Sequence, residues 1–142
     1  MPYLRVVDGQ PQPYSIEQLR RDNPDTSFPK EMTDVFLAEW GVYPYTMQAR
    51  PEYSKLAQKA ALAGIEQNGG VWSRGWVVED LSLEDASRRV RSHRDSLLSQ
   101  TDWMALSDVS MSPDWVAYRQ ALRDVTAQVG FPRSVVWPNK PE

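Results

Sequence analysis

The sequence has no cysteine. That excludes disulfides, thiolate nucleophiles and most zinc frameworks, and it fits a reducing compartment. It has one histidine, His93, so ordinary His-based metal sets and catalytic triads have little to draw on. It also lacks a dominant charge: 16 Lys and Arg stand against 19 Asp and Glu, a net charge of -3. No global field recruits DNA or an anionic membrane. No apolar run approaches the ~20 residues of a membrane span. The opening "MPYLRVVDGQ" has no basic region followed by an apolar core, so no secretion signal is expected. The seven glycines form no phosphate-cradling pattern, and no serine lies in a nucleophile elbow.

What is present is ordinary for a folded protein. The 142 residues are 41% hydrophobic and 25% charged, which argues against disorder and allows one compact domain or two small modules. Six Trp and eleven Pro stand out. Trp buries a large face, and Pro stiffens turns at low entropic cost.

The first half reads as short strands and short helices. Tyr3 to Val7 is predicted as a strand ending in the Asp8-Gly9 turn. Ser15 and Gln18 form a capping box ahead of Ile16 and Leu19, and Asn23-Pro24 ends that helix. Thr33 caps a second helix with Phe36, Leu37 and Trp40 on its apolar face, and Gly41 stops it. "VYPYTMQA" is extended, with Pro44 confining it to a sheet edge or a bend. Asn68-Gly69-Gly70 signals a hairpin, so "VWSRGWVVED" is predicted as a strand and Leu56 to Glu66 as its partner, with helix as the alternative for that Ala-rich segment.

After Ser82 the apolar period lengthens. Ser82 and Asp85 make another capping box, and Leu83, Ala86, Val90, His93 and Leu97 form one helix stripe to about Gln100. A loop follows. Ser112 and Pro113 then start a second long helix, whose stripe is Trp115, Tyr118, Leu122, Val125 and Val129, with Gly130 as the stop. The tail "FPRSVVWPNKPE" is extended and Pro-locked. The two helices are expected to pack on each other, with Trp103 and Trp137 closing the ends.

No constellation for chemistry emerges. His93 sits on an apolar stripe without an oriented carboxylate and reads as structural. "EDLSLED" lacks the spacing of a calcium loop and reads as helix-start charge. Arg88, Arg89, Arg91 and Arg94 form the one basic cluster, read as a solvated helix side, with phosphate contact as the alternative. Trp72 and Trp76 share one side of their strand and read as core, with a sugar-binding platform as the alternative.

"RDSLLSQTDW" followed by "WVAYRQALRDVTAQVGFPRSVVWP" resembles the C-terminal motif of the phage tail assembly chaperone family. The matching positions are Arg94, Asp95, Leu97, Leu98, Thr101, Asp102 and Trp103; then Trp115, Tyr118, Arg119, Leu122, Arg123 and Asp124; then Gly130, Phe131, Pro132, Trp137 and Pro138. The resemblance implies a non-enzymatic tail or tail-fibre protein of a bacteriophage that binds another tail protein, as an assembly chaperone or a retained structural subunit. It implies action in the host cytoplasm during assembly, or residence in the virion tail. No catalytic residue, metal or cofactor comes with it.

The expectation is therefore an α+β protein. Residues 1–80 form a β-rich module with short helices that binds the partner. Residues 81–142 form a two-helix hairpin with an extended Pro-rich arm. Tyr43, Tyr45, Trp72 and Trp76 are the expected partner contacts. Trp103, Trp115, Tyr118, Arg119, Leu122, Phe131 and Trp137 are the structural motif, with the aromatic rings locking hairpin and arm together. The expected partner is a tail or tail-fibre protein, with self-association in the tail as a further option. No nucleic-acid or membrane partner is expected; a carbohydrate-binding tail tip and an arginine-helix nucleic-acid reader are the alternatives.

Overall fold

A computed structural model describes residues 1–142. The chain is mixed α+β, with a five-stranded sheet and four α-helices. It divides into two compact units. One holds Met1–Pro51 and Ala60–Val77; the other holds Glu52–Lys59 and Val78–Glu142.

The sheet has strands β1 (Tyr3–Val7), β2 (Gln10–Tyr14), β3 (Val42–Met47), β4 (Gln58–Asn68) and β5 (Val71–Asp80), in the order β2-β1-β3-β5-β4; the first unit holds β1, β2, β3 and all of β4 and β5 except Gln58–Lys59 and Val78–Asp80. Asp8 and Gly9 both adopt positive φ, 51° and 76°, the two-residue turn that matches strand twist. The turn was legible in the sequence, but β2 was not, because "QPQPY" carries two prolines. They are tolerated because β2 is an edge strand that pairs only with β1. Pro11 and Pro13 lie two apart, so both take the class of position whose N–H faces away from β1.

Pro44 corrects the expectation of an edge. β3 lies in the middle of the sheet. The physical reason is a change of neighbour along the strand. Val42 to Pro44 pair antiparallel with β1, whereas Tyr45 to Met47 pair parallel with β5. Proline sits at the hand-over, where its missing N–H breaks no ladder. The Ala-rich segment is a strand, β4, joined to β5 through Gly69 and Gly70, both at positive φ.

Alternation along β3 then makes two cores. Val42 joins Leu19 of α1 (Ile16–Asp22) and Leu37 of α2 (Asp34–Glu39), all fully buried, with Phe28, Met32 and Trp40 packed around them. Tyr45 joins Leu4 and Ile65, with Tyr43 and Trp72 packed against them. Each buried leucine contributes ~1.5–3 kcal/mol. The caps are as read: Ser15 accepts from the Gln18 N–H at 3.0 Å and Thr33 from that of Phe36 at 3.3 Å.

The second unit contains α3 (Leu83–Ser99) and α4 (Pro113–Asp124). Ala86 and Val90 of α3, and Tyr118 and Leu122 of α4, are buried, as is Val125 after α4. The expected stripes are only partly covered. Leu83 and His93 are exposed, α4 stops six residues before Gly130, passing into a 3₁₀ turn at Val125–Ala127, and Val129 is fully exposed. Apolar period alone extended α4 too far, because no neighbour covers the last position.

Candidate functional site

The motif segment "TDW…YR" forms a clasp around the end of α3. Thr101 is buried, and its hydroxyl donates back to the Leu98 carbonyl at 2.9 Å. From α4, Arg119 enters the same spot with only 7% of its surface exposed. Its Nη1 donates to Leu98 O at 3.1 Å and to the Thr101 hydroxyl at 2.5 Å, and its Nη2 to Asp102 Oδ1 at 3.0 Å. The carbonyls at the C-terminal end of a helix carry partial negative charge, so a guanidinium fork there satisfies acceptors and complements the dipole together. Leu122, one turn further along α4, is fully buried. These contacts give Thr101, Asp102 and Arg119 one shared task, to hold α4 against the end of α3.

The arm is fastened by rings and by one amide. Trp137 meets the His93 ring edge-on at 4.7 Å, and Arg91 lies over Phe131 at 5.4 Å. Trp115 meets Tyr118 edge-on at 5.7 Å, with the Lys140 ammonium 6.0 Å above Trp115. Gln128 grips the backbone of Val136 twice: its Nε2 donates to Val136 O and its Oε1 accepts from Val136 N–H, both at 2.8 Å. Arg133 donates to Leu81 O at 2.7 Å. Gln128 and Arg133 escaped the sequence reading, since neither lies on an apolar stripe.

Trp103 is a correction. It was expected to close the core, yet it is 57% exposed on the 3₁₀ turn Asp102–Ala105. The clasp consumes Thr101 and Asp102 and turns the next side chain outward. Leu106 is equally exposed, and its N–H bonds to Trp103 O at 3.4 Å.

The four expected partner contacts differ in exposure. Tyr45 is buried in the sheet core, and Tyr43 and Trp72 pack against it. Trp76 is half-buried; its Nε1 donates to Gln48 O at 3.2 Å and Arg50 covers its ring at 4.9 Å. Period two correctly placed Trp72 and Trp76 on one side, but that side is the packed one.

No group of three or more His, Asp or Glu is placed to hold a metal ion, and no helix is long and apolar enough to cross a membrane. Two phenols are perturbed. Burial, then Asp34, raises Tyr3 above its ordinary value; burial, then the hydrogen bond to Asp22 at 2.6 Å, raises Tyr14. Both serve packing between β1, β2 and the short helices.

Each arginine of the basic cluster has a contact within the chain, and Arg88, Arg89 and Arg91 remain exposed. Arg88 bonds to Asp85, Arg89 to Lys55 O at 2.7 Å, Arg91 covers Phe131, and Arg94 pairs with Asp95 at 2.7 Å.

No curated protein and no solved structure matches the chain. The segment that builds the clasp, the arm and most of α3 is the one that carries a family signature: residues 87–142 match the family model described as phage tail assembly chaperone protein.

Proposed function

We propose that the chain serves phage tail assembly by binding another tail or tail-fibre protein, without catalysis, as an assembly chaperone in the host cell. The observation that carries this reading is the family match over residues 87–142. The geometry of that segment supports it: Thr101, Asp102 and Arg119 of the motif hold α4 against the end of α3, a structural use of polar side chains.

Two observations count against the alternatives. A glycan platform needs Trp72 and Trp76 free, yet one packs on the core and the other lies under Arg50. A phosphate-reading helix needs free arginines, and those of α3 already have partners.

The test is co-expression of the tagged full chain with the tail proteins of its own phage. One of them should copurify at fixed stoichiometry, and phage lacking the chain should yield particles without complete tails. Normal tails in its absence overturn the proposal. Mass spectrometry of purified virions separates a chaperone, absent there, from a retained subunit, present at constant copy number.

A further inference from the structure

We infer that the segment between α3 and α4, centred on Trp103, is the docking surface for a basic, apolar stretch of the tail partner; this rests on the binding role proposed above. Three side chains define it. Trp103 and Leu106 are each 57% exposed, and Val109 is half-buried. They are spaced three apart, and each is tied to the next by a backbone bond: Leu106 N–H to Trp103 O at 3.4 Å, and Val109 N–H to Leu106 O at 3.1 Å. The three apolar residues therefore follow one another along a run of turns held by backbone bonds.

An exposed Trp on an anchored backbone is the residue type that dominates binding hot spots. Here the anchor is the Arg119 clasp, which fixes the two residues immediately before the ring. Pre-organisation of that kind removes ordering cost from association.

Charge selects the occupant. From Asp95 to Tyr118 the chain carries four aspartates (Asp95, Asp102, Asp108 and Asp114) and no Lys, Arg or His. Arg94 engages Asp95 and Arg119 engages Asp102. Asp108, between Leu106 and Val109, and Asp114, in the first turn of α4, form no ion pair. An exposed apolar segment that carries acid and no cation of its own fits a partner segment with Lys or Arg beside large apolar side chains. It repels an anionic lipid surface. It also disfavours a second copy using the same patch, because like charges would face each other, and the α3 arginines of a second copy are already engaged.

The test uses the purified full chain against an array of overlapping short peptides spanning the tail proteins of the same phage. Positive peptides are then measured in solution. Bound peptides should combine basic and apolar residues, and their affinity should fall with salt. Trp103→Ala should weaken binding about tenfold or more, with an unchanged melting temperature and partial recovery in Trp103→Phe. Asp108→Asn with Asp114→Asn should weaken it several-fold and flatten the salt dependence. Binding that ignores Trp103, or peptides with no basic residue, overturns the inference. So does a Trp103-dependent dimer in light scattering, or Trp103-dependent sedimentation with phosphatidylserine vesicles. If a tail protein copurifies equally with wild type and Trp103→Ala, only the docking surface is lost; if none copurifies with either, the binding role fails with it.

Discussion

Arg119 of α4 reaches Asp102 across 17 positions of sequence, Nη2 to Oδ1 at 3.0 Å, and the two partners are unequally placed. The arginine side chain is 9% exposed and the aspartate 64%. The bond reaches a largely exposed carboxylate and is therefore water-screened, whereas the bond to the Thr101 hydroxyl is buried. Asp102→Asn should cost less than ~1 kcal/mol. Arg119→Ala should cost about 2–4 kcal/mol, since it strips buried acceptors of a charged donor and removes a packed stem. Arg119→Lys should fall between, because an ammonium does not reproduce the fork. Urea unfolding of the three variants checks the order; equal losses for Asp102→Asn and Arg119→Ala would refute the screening argument.

Gln128 is the amide that ties the arm. Replacing it with Ala removes both bonds to Val136. The site is surface-accessible, so global stability should fall by no more than ~1 kcal/mol. The local effect should be larger: the Val136 amide should lose hydrogen-exchange protection, and limited proteolysis should cut the arm faster. Unchanged protection at Val136 would mean that the rings alone hold it.

Alkaline pH should weaken the first unit. Burial raises Tyr3 and Tyr14 above their ordinary value of 10.0, with Asp34 and Asp22 adding to it, while Arg5 opposes the shift at Tyr14. The folded state thus keeps phenolic protons that the unfolded chain gives up first. Their contribution is fully present below pH 10 and declines as pH rises from there through the folded values. Urea midpoints between about pH 8 and pH 11 should decline for wild type. In the Tyr3→Phe, Tyr14→Phe double variant the starting midpoint is lower, because the hydrogen bonds to Asp34 and Asp22 are gone, but the decline is shallower.

Much of the fold was readable because local rules and packing agree. Ser15, Thr33 and Ser82 cap helices as their spacing implies. β1 and β5 start and stop where composition changes. The misses share one cause: they depend on neighbours that local pattern does not specify. β2 is a strand although it holds Pro11 and Pro13, because only one side of it is paired. Val129 continues the α4 stripe yet has nothing to pack against. The site was half legible. The motif residues identified the segment, but not the division of labour within "TDW", in which two residues are internal and the third points out. Nor did the aromatic content of β3 and β5 reveal that Tyr45 is buried with Leu4 and Ile65 while Tyr43 and Trp72 pack half-buried against them.

Gly130 gives the sharpest test of the arm's geometry. A β-carbon built there would lie 2.0 Å from the Ser134 carbonyl oxygen and 3.2 Å from its side chain. The obstacle is backbone, held by the bond from Ser134 N–H to Gly130 O at 2.7 Å, so it does not rotate away as a side-chain tip would. Gly130 has no positive φ to protect; the requirement is space alone. Gly130→Ala should therefore open the 130–134 turn and cost about 1–3 kcal/mol, the range for overpacking. Because that turn leads into Val136 and Trp137, the Trp137–His93 contact should loosen as well, which shows as a shift in tryptophan emission against wild type. Gly64→Ala serves as the control, since a β-carbon at that position meets nothing within 4 Å. If Gly130→Ala unfolds at the wild-type midpoint with unchanged emission, the close approach at Ser134 is not a feature of the folded protein.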